Sequence, residues 1–241
     1  MTLTLLARER ETGKIGGAVV SRALFAGGWC LRGGADCGLS ASQGAIPSTL
    51  CGEALLQRMR EGETATSALG AVSAADDGRD HRQLAALDQR GRTAAFTGAL
   101  TPGACGHRQG ADALVVGCDL RGEHVMEAVL EVFATAPGAL VDRLVASLRV
   151  GLAGEAGDLA SAALLVLHRE APPLSLRVDG QADPLDGLAG LVAAAHAPAH
   201  AGWIRHWPTL VDPFRAPSAA EMAALPRQGA DGDSSRGDGG T

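Results

Sequence analysis

The sequence predicts an α+β fold in which two antiparallel sheets lie between layers of helix. Three observations carry that expectation. Strand patterns come as hairpin-like pairs and do not alternate singly with helices, which argues against a doubly wound parallel sheet. Two amphipathic helix patterns follow one another in the middle of the chain. At 241 residues, with 46% hydrophobic and 20% charged content, the chain is long enough to bury a core that needs both sheet faces and both helix stripes.

The elements read in order. Residues 2–8 and 15–21 are apolar stretches separated by Glu9-Arg10-Glu11-Thr12-Gly13-Lys14, a turn with glycine followed by a β-branched run, hence a hairpin. A third and a fourth strand are expected within 24–32 and 36–43, divided by Gly33-Gly34. Ser48 is placed to cap a helix near 49–60 and Thr64 another near 65–73. Residues 82–88 and 92–97 repeat the hairpin pattern around Asp88-Gln89-Arg90-Gly91-Arg92, and 112–118 reads as a further strand. Val125, Val129 and Phe133 recur four apart, and beyond Pro137 so do Leu140, Leu144, Leu148 and Leu152, giving the two helix stripes. Strands at 161–168 and 174–179 and a helix from about 184 to 197 complete a domain of residues 1–200. Residues 201–227, with Trp203 and Trp207, form an extension laid on that domain. Residues 228–241 are rich in Gly, Asp and Ser and are expected to be a disordered tail.

Composition narrows the function. The formal net charge is −6, and Lys14 is the single lysine among 21 basic residues. With seven aromatic residues and no tyrosine, the chain lacks the basic face and stacking platforms of a nucleic-acid binder. No apolar run reaches membrane-spanning length, and no signal-peptide pattern is visible. The expected setting is cytoplasmic, with Cys30, Cys37, Cys51, Cys105 and Cys118 as reduced thiols. His196 and His200 are spaced i,i+4 across Pro198, and Cys105-Gly106-His107 has no partner pair, so neither predicts a metal. Phosphate-loop, dinucleotide-binding and serine-hydrolase signatures are missing; no cofactor is expected.

What remains is the start of the chain, where Thr2 follows Met1 at the head of a strand pattern. Methionine is usually trimmed before a residue as small as threonine. An N-terminal threonine carries a nucleophile and a base together, because its α-amine, with an ordinary pKa of about 8, can take the hydroxyl proton. A leading threonine is also simply a good strand former.

A resemblance bears on the choice. Asp77-Gly78-Arg79-Asp80-His81-Arg82-Gln83-Leu84, followed by Asp88-Gln89-Arg90-Gly91-Arg92-Thr93-Ala94-Ala95-Phe96-Thr97-Gly98, resembles the block Asp-Pro-Gly-Arg-x-x-Arg-Gln-Leu … Asp-x-x-Gly-Arg-x-Ala-x-His-Thr-Gly. That block belongs to a bacterial family known as domain of unknown function 1028, whose members are taken as N-terminal nucleophile (Ntn) hydrolases. The opening Thr2-x-Thr4-x-x-Ala7-Arg8 … Glu11-Thr12-Gly13 … Gly17-Ala18-Val19-Val20-Ser21 is similar to theirs. So are Ala41-Ser42-Gln43, Ser161 to Val166, and Leu176-Arg177-Val178-Asp179 with Ala182-Asp183-Pro184. Each match is weak alone; they run in order through about residues 2–190.

The resemblance implies a four-layer αββα Ntn-hydrolase-like sandwich. It implies Thr2 as nucleophile in an amidohydrolase that cleaves an amide-type C–N bond of a small molecule. In that architecture Ser21 and Ser42-Gln43 end strands at the sheet end of Thr2, as hydrogen-bonding candidates or as hydroxyls satisfied by backbone. Cys118-Asp119 stands where the family pattern Gln-Gly-Asn-Met-Leu has its asparagine, in the run Val116-Gly117-Cys118-Asp119-Leu120. Phe96 replaces the histidine before Thr-Gly, and residues 155–160 lose the family's basic and amide side chains. The alternative from another class is a diverged, non-catalytic binding or assembly protein. Arg8, Arg22 and Arg32 are candidates to hold a ligand carboxylate, and a homodimer is the assembly to test.

Overall fold

The computed structural model describes residues 1–153 and 159–225. The first hairpin is β1 (Thr2–Arg8) and β2 (Ile15–Ser21). A short helix, α1 (Ala26–Trp29), leads into β3 (Leu31–Gly34) and β4 (Gly38–Gly44). Helices α2 (Thr49–Arg60) and α3 (Ala65–Ala75) precede the hairpin of β5 (Arg82–Asp88) and β6 (Thr93–Thr97). Strands β7 (Ala104–Gly110) and β8 (Ala113–Leu120) are followed by α4 (His124–Thr135) and α5 (Leu140–Gly151). The chain returns through β9 (Ser161–His168), β10 (Ala171–Asp179) and α6 (Pro184–Ala195), then α7 (Pro198–Ile204) and α8 (Ala219–Ala224).

Two fully antiparallel sheets result, in the orders β10-β9-β2-β1-β8-β7 and β3-β4-β5-β6. Period-two alternation then sorts the side chains into layers. Along β1, Leu3, Leu5 and Ala7 join Val125, Val129, Leu144 and Leu148 beneath the α4–α6 layer. Leu6, with Val19 and Val116, instead meets Leu39, Ala41, Ala85 and Leu87 of the smaller sheet. The opposite face of that sheet, with Leu84 and Ala86, packs under α2 and α3 against Leu55, Met59 and Leu69. The layer order is αββα. Leu3, Leu5, Leu6 and Leu144 have no exposed surface, each contributing about 1.5–3 kcal/mol of burial. The sheets meet closely at Gly17, where an added Cβ would come within 2.7 Å of Leu31 Cδ1.

The expected helix caps are present: Ser48 Oγ accepts from Cys51 N, and Thr64 Oγ1 from Ser67 N. Two elements differ from expectation. Part of the stretch expected as a strand over 24–32 is α1, entered through Phe25 at φ 64, because Leu24-Phe25 is a surface turn and not a buried alternation. Strand β7 was not anticipated; it is an edge strand with two glycines and no fully buried residue, so it carries little periodic signal. Helix α7 crosses the expected boundary at 200, and Trp203 and Trp207 stack edge to face with centroids 4.5 Å apart. The expected tail, 228–241, lies outside the described residues. Among the described residues no helix is long and apolar enough to cross a membrane.

Candidate active site

Strand register builds the site. Thr2 pairs with Ser21 on one side and Cys118 on the other, Ser21 pairs with Ser161, and Ser161 with Asp179. Cys118, Thr2, Ser21 and Ser161 therefore form one row across β8-β1-β2-β9, at one end of the large sheet and on the face turned toward the small sheet. All four are buried, with Thr2 the most accessible at 7%.

Thr2 Oγ1 and Ser21 Oγ are 2.9 Å apart. Ser21 Oγ donates to the Met1 carbonyl at 3.3 Å and accepts from Ala23 N at 3.0 Å. A serine hydroxyl has one proton, so with it directed at Met1 the Thr2 hydroxyl donates to Ser21. The Met1 carbonyl also accepts from Arg22 N at 3.0 Å. Two donors thus converge on the carbonyl bonded to the Thr2 nitrogen.

The Met1 ammonium donates to Asp119 Oδ2 at 2.7 Å, with Arg22 Nη1 3.7 Å from the same oxygen. The ammonium, more than Arg22, holds the Asp119 carboxyl below the usual carboxylate range. Asp119 adopts the left-handed conformation at φ 55, which aspartate tolerates better than most residues. Burial pushes the Cys118 thiol above its ordinary pKa, while the nearby ammonium and the backbone N–H groups of Thr2 and Gly44 pull it back down.

Beneath the row, a buried amide chain joins the sheets. Thr4 Oγ1 donates to Gln43 Oε1 at 2.7 Å, and Gln43 Nε2 donates to Gln83 Oε1 at 2.6 Å and to the Thr2 carbonyl at 3.2 Å. Gln83 Nε2 in turn donates to Thr97 Oγ1 and to the carbonyls of Gly106 and Gly117. Gln43 and Gln83 have no exposed surface; paired this way they fix the backbone of Thr2, since an unpaired buried amide is costly.

Of the residues singled out from the sequence, Thr2, Ser21, Gln43, Cys118 and Asp119 come together. Ser42 does not: its Oγ accepts from Ser48 N at 2.9 Å, on the α2 side of the small sheet. One residue's difference in position along β4 sends Ser42 and Gln43 to opposite faces. Phe96 packs with the α2–α3 cluster, so that departure from the family pattern lies away from Thr2. Most of the other departure, at 155–160, lies outside the described residues (154–158). Arg8 pairs with Asp112 and Arg32 with Glu53, whereas Arg22 reaches the site.

Sequence reasoning missed three participants. Ser161 Oγ donates to the Ala23 carbonyl and accepts from Ala26 N. Asp179 Oδ1 accepts from Phe25 N at 2.6 Å, pinning the left-handed turn beside the row. The third is the backbone N–H of Arg22, invisible in any residue type. Ser161 and Asp179 stand at strand ends, but finding them needs the pairing of β2 with β9. Leu24, Phe25, Ile46 and Leu100 are exposed on loops at this end of the sandwich, giving it an apolar rim.

The crystal structure of a DUF1028-family protein from Silicibacter pomeroyi is similar over 90% of this chain and 99% of that one, at 41% identity and a TM-score of 0.86. The crystal structure of HslV from Trypanosoma brucei is similar over 69% of this chain and 99% of that one, at 14% identity and a TM-score of 0.45. No curated protein matches the chain. The model of the family of unknown function DUF1028 matches residues 2–188, and the chain belongs to that family.

Proposed function

We propose that the protein is an N-terminal-nucleophile amidohydrolase acting on a small amide, with Thr2 as nucleophile once Met1 is removed. The observation that carries the reading is the pair of donors, Ser21 Oγ and Arg22 N–H, converging on the carbonyl next to Thr2. Such a pair is what a tetrahedral oxyanion requires, and one donor of this kind is worth about 10²–10³ in rate.

The Thr2 hydroxyl attacks the substrate carbonyl, and its proton passes to the Thr2 α-amine. The oxyanion is held by Ser21 Oγ and Arg22 N–H. As the C–N bond breaks, the α-amine gives the proton to the departing amine, leaving an ester on Thr2 Oγ. Water attacks the ester, the α-amine takes its proton, and the carboxylic acid leaves as Thr2 Oγ is reprotonated. Gln43 positions the Thr2 backbone, and Cys118 lies beside the α-nitrogen.

A second reading has its own support. The Met1 side chain is fully buried and its ammonium is paired with Asp119, an arrangement suited to a methionine that stays. The protein would then be a non-catalytic binding or assembly member, because an amide nitrogen cannot serve as the base. Acylation decides between them. A β-lactone should label Thr2 of the native protein, and Thr2→Ala should abolish the label; an unlabelled Thr2 favours the second reading.

A further inference from the structure

Met1 is recognised in three ways at once. Its ammonium meets Asp119 at 2.7 Å. Its carbonyl oxygen meets Arg22 N at 3.0 Å and Ser21 Oγ at 3.3 Å. Its side chain is fully buried, in the cluster that includes Leu152, Val178 and Leu185. Cation, carbonyl and side chain are the three features that any α-amino acyl group presents. The nitrogen and Oγ of one threonine can also be bridged by a single carbon in a five-membered ring. An acyl group amide-linked to the Thr2 nitrogen and one ester-linked to Thr2 Oγ therefore occupy overlapping space.

We infer that the place filled by Met1 is the acyl subsite, and that the substrates are amides of α-amino acids with an apolar side chain of about methionine's size, anchored through a free α-ammonium by Asp119. The inference rests on the hydrolase reading above and assigns that site its substrate class. Asp119 supplies the charge complement, its Oδ2 2.7 Å from the Met1 ammonium. The cluster that takes up the Met1 side chain is apolar, which suits an uncharged side chain of about methionine's size. A deaminated or N-acetylated acyl group would fill the socket but forfeit the charge-assisted hydrogen bond, which is among the stronger single contacts a site can offer.

The test uses the full chain beginning at Thr2, with three chromogenic anilides: L-methionine, N-acetyl-L-methionine and 4-(methylthio)butanoate. The L-methionine anilide should be cleaved with kcat/KM about 10–100-fold above the other two, the range expected of one charged hydrogen bond. In Asp119→Asn that ratio should fall close to one. Asparagine tolerates the left-handed backbone at this position, and the wild-type ratio needs no variant at all. Equal rates on the three anilides, no cleavage of the L-methionine anilide by a chain whose Thr2 is labelled, or a uniform slowing in Asp119→Asn would each overturn the inference. The last would make Asp119 a positioning residue for the Thr2 amine. A chain whose Thr2 takes no β-lactone fails the hydrolase reading itself, which is a separate result.

Discussion

Replacing Ser21 with alanine removes one hydroxyl from three interactions: with Thr2 Oγ1 at 2.9 Å, the Met1 carbonyl at 3.3 Å and Ala23 N at 3.0 Å. Two consequences separate by size. The Ala23 N–H loses its partner at a site where Ser21 is 1% exposed, so stability should fall by about 1–2 kcal/mol. In a chain of this length that lowers Tm by roughly 2–8 °C. The loss of one of two oxyanion donors is larger, about 10²–10³ in the rate of acylation. Thr2 acylation by a β-lactone, followed by intact mass well below the Tm of the variant, measures it directly. Ser161→Ala is the matched control. Its hydroxyl occupies the next place in the row but, among the described residues, bonds only to Ala23 O and Ala26 N; the variant should lose stability while its folded fraction acylates within about threefold of wild type. If Ser21→Ala acylates within the same threefold, the assignment of Ser21 as an oxyanion donor is wrong.

Gln43→Leu removes the hydrogen bonds to Thr4 Oγ1, the Thr2 carbonyl and Gln83 Oε1, with Cys30 Sγ at 3.5 Å still beside Thr4 Oγ1, so urea unfolding should show a loss of about 2–4 kcal/mol; a loss under 1 kcal/mol would deny the amide chain its role. In the chain that keeps Met1, Asp119 has a folded pKa below its unfolded value of about 3.9, so its contribution is complete above that value and is lost as pH falls through the folded pKa. The stability difference between wild type and Asp119→Asn should accordingly be flat from pH 7 to 5 and shrink below about pH 4; a difference unchanged down to pH 2 would contradict the ion pair. Burial pushes the Cys30 thiol up to about 12 and the Cys37 thiol up to about 11. Maleimide labelling of the native protein at pH 8, mapped by peptide mass, should therefore reach the partly exposed Cys105 first and Cys30 last. Rapid labelling of Cys30 would mean that the sheet interface opens readily.

Much of the fold was legible because its signals are local. Ser48 and Thr64 precede their helices by one residue, and the four-residue recurrence of Leu140, Leu144 and Leu148 survives unchanged in α5. The misreading around Phe25 has the opposite cause: a left-handed turn is held by Asp179, far away in sequence. The site divides in the same way. Thr2 is legible from its position and Ser21 from its strand end. Ser42 and Gln43 are adjacent, and only the register of β4 in its own sheet, beside β3 and β5, separates the residue facing α2 from the one facing Thr2. The row from Cys118 to Ser161 needs, beyond the local β1–β2 hairpin, two pairings of strands more than a hundred residues apart in sequence, and the Arg22 N–H that completes the donor pair is common to every residue except proline.

The central claim is that Thr2 is the nucleophile and its own α-amine the base, and the mass of the native chain's N-terminus tests it most directly. The account predicts a chain that begins at Thr2 and gains one acyl group there on treatment with a β-lactone. A native chain that keeps Met1, its ammonium still bound to Asp119, would contradict it.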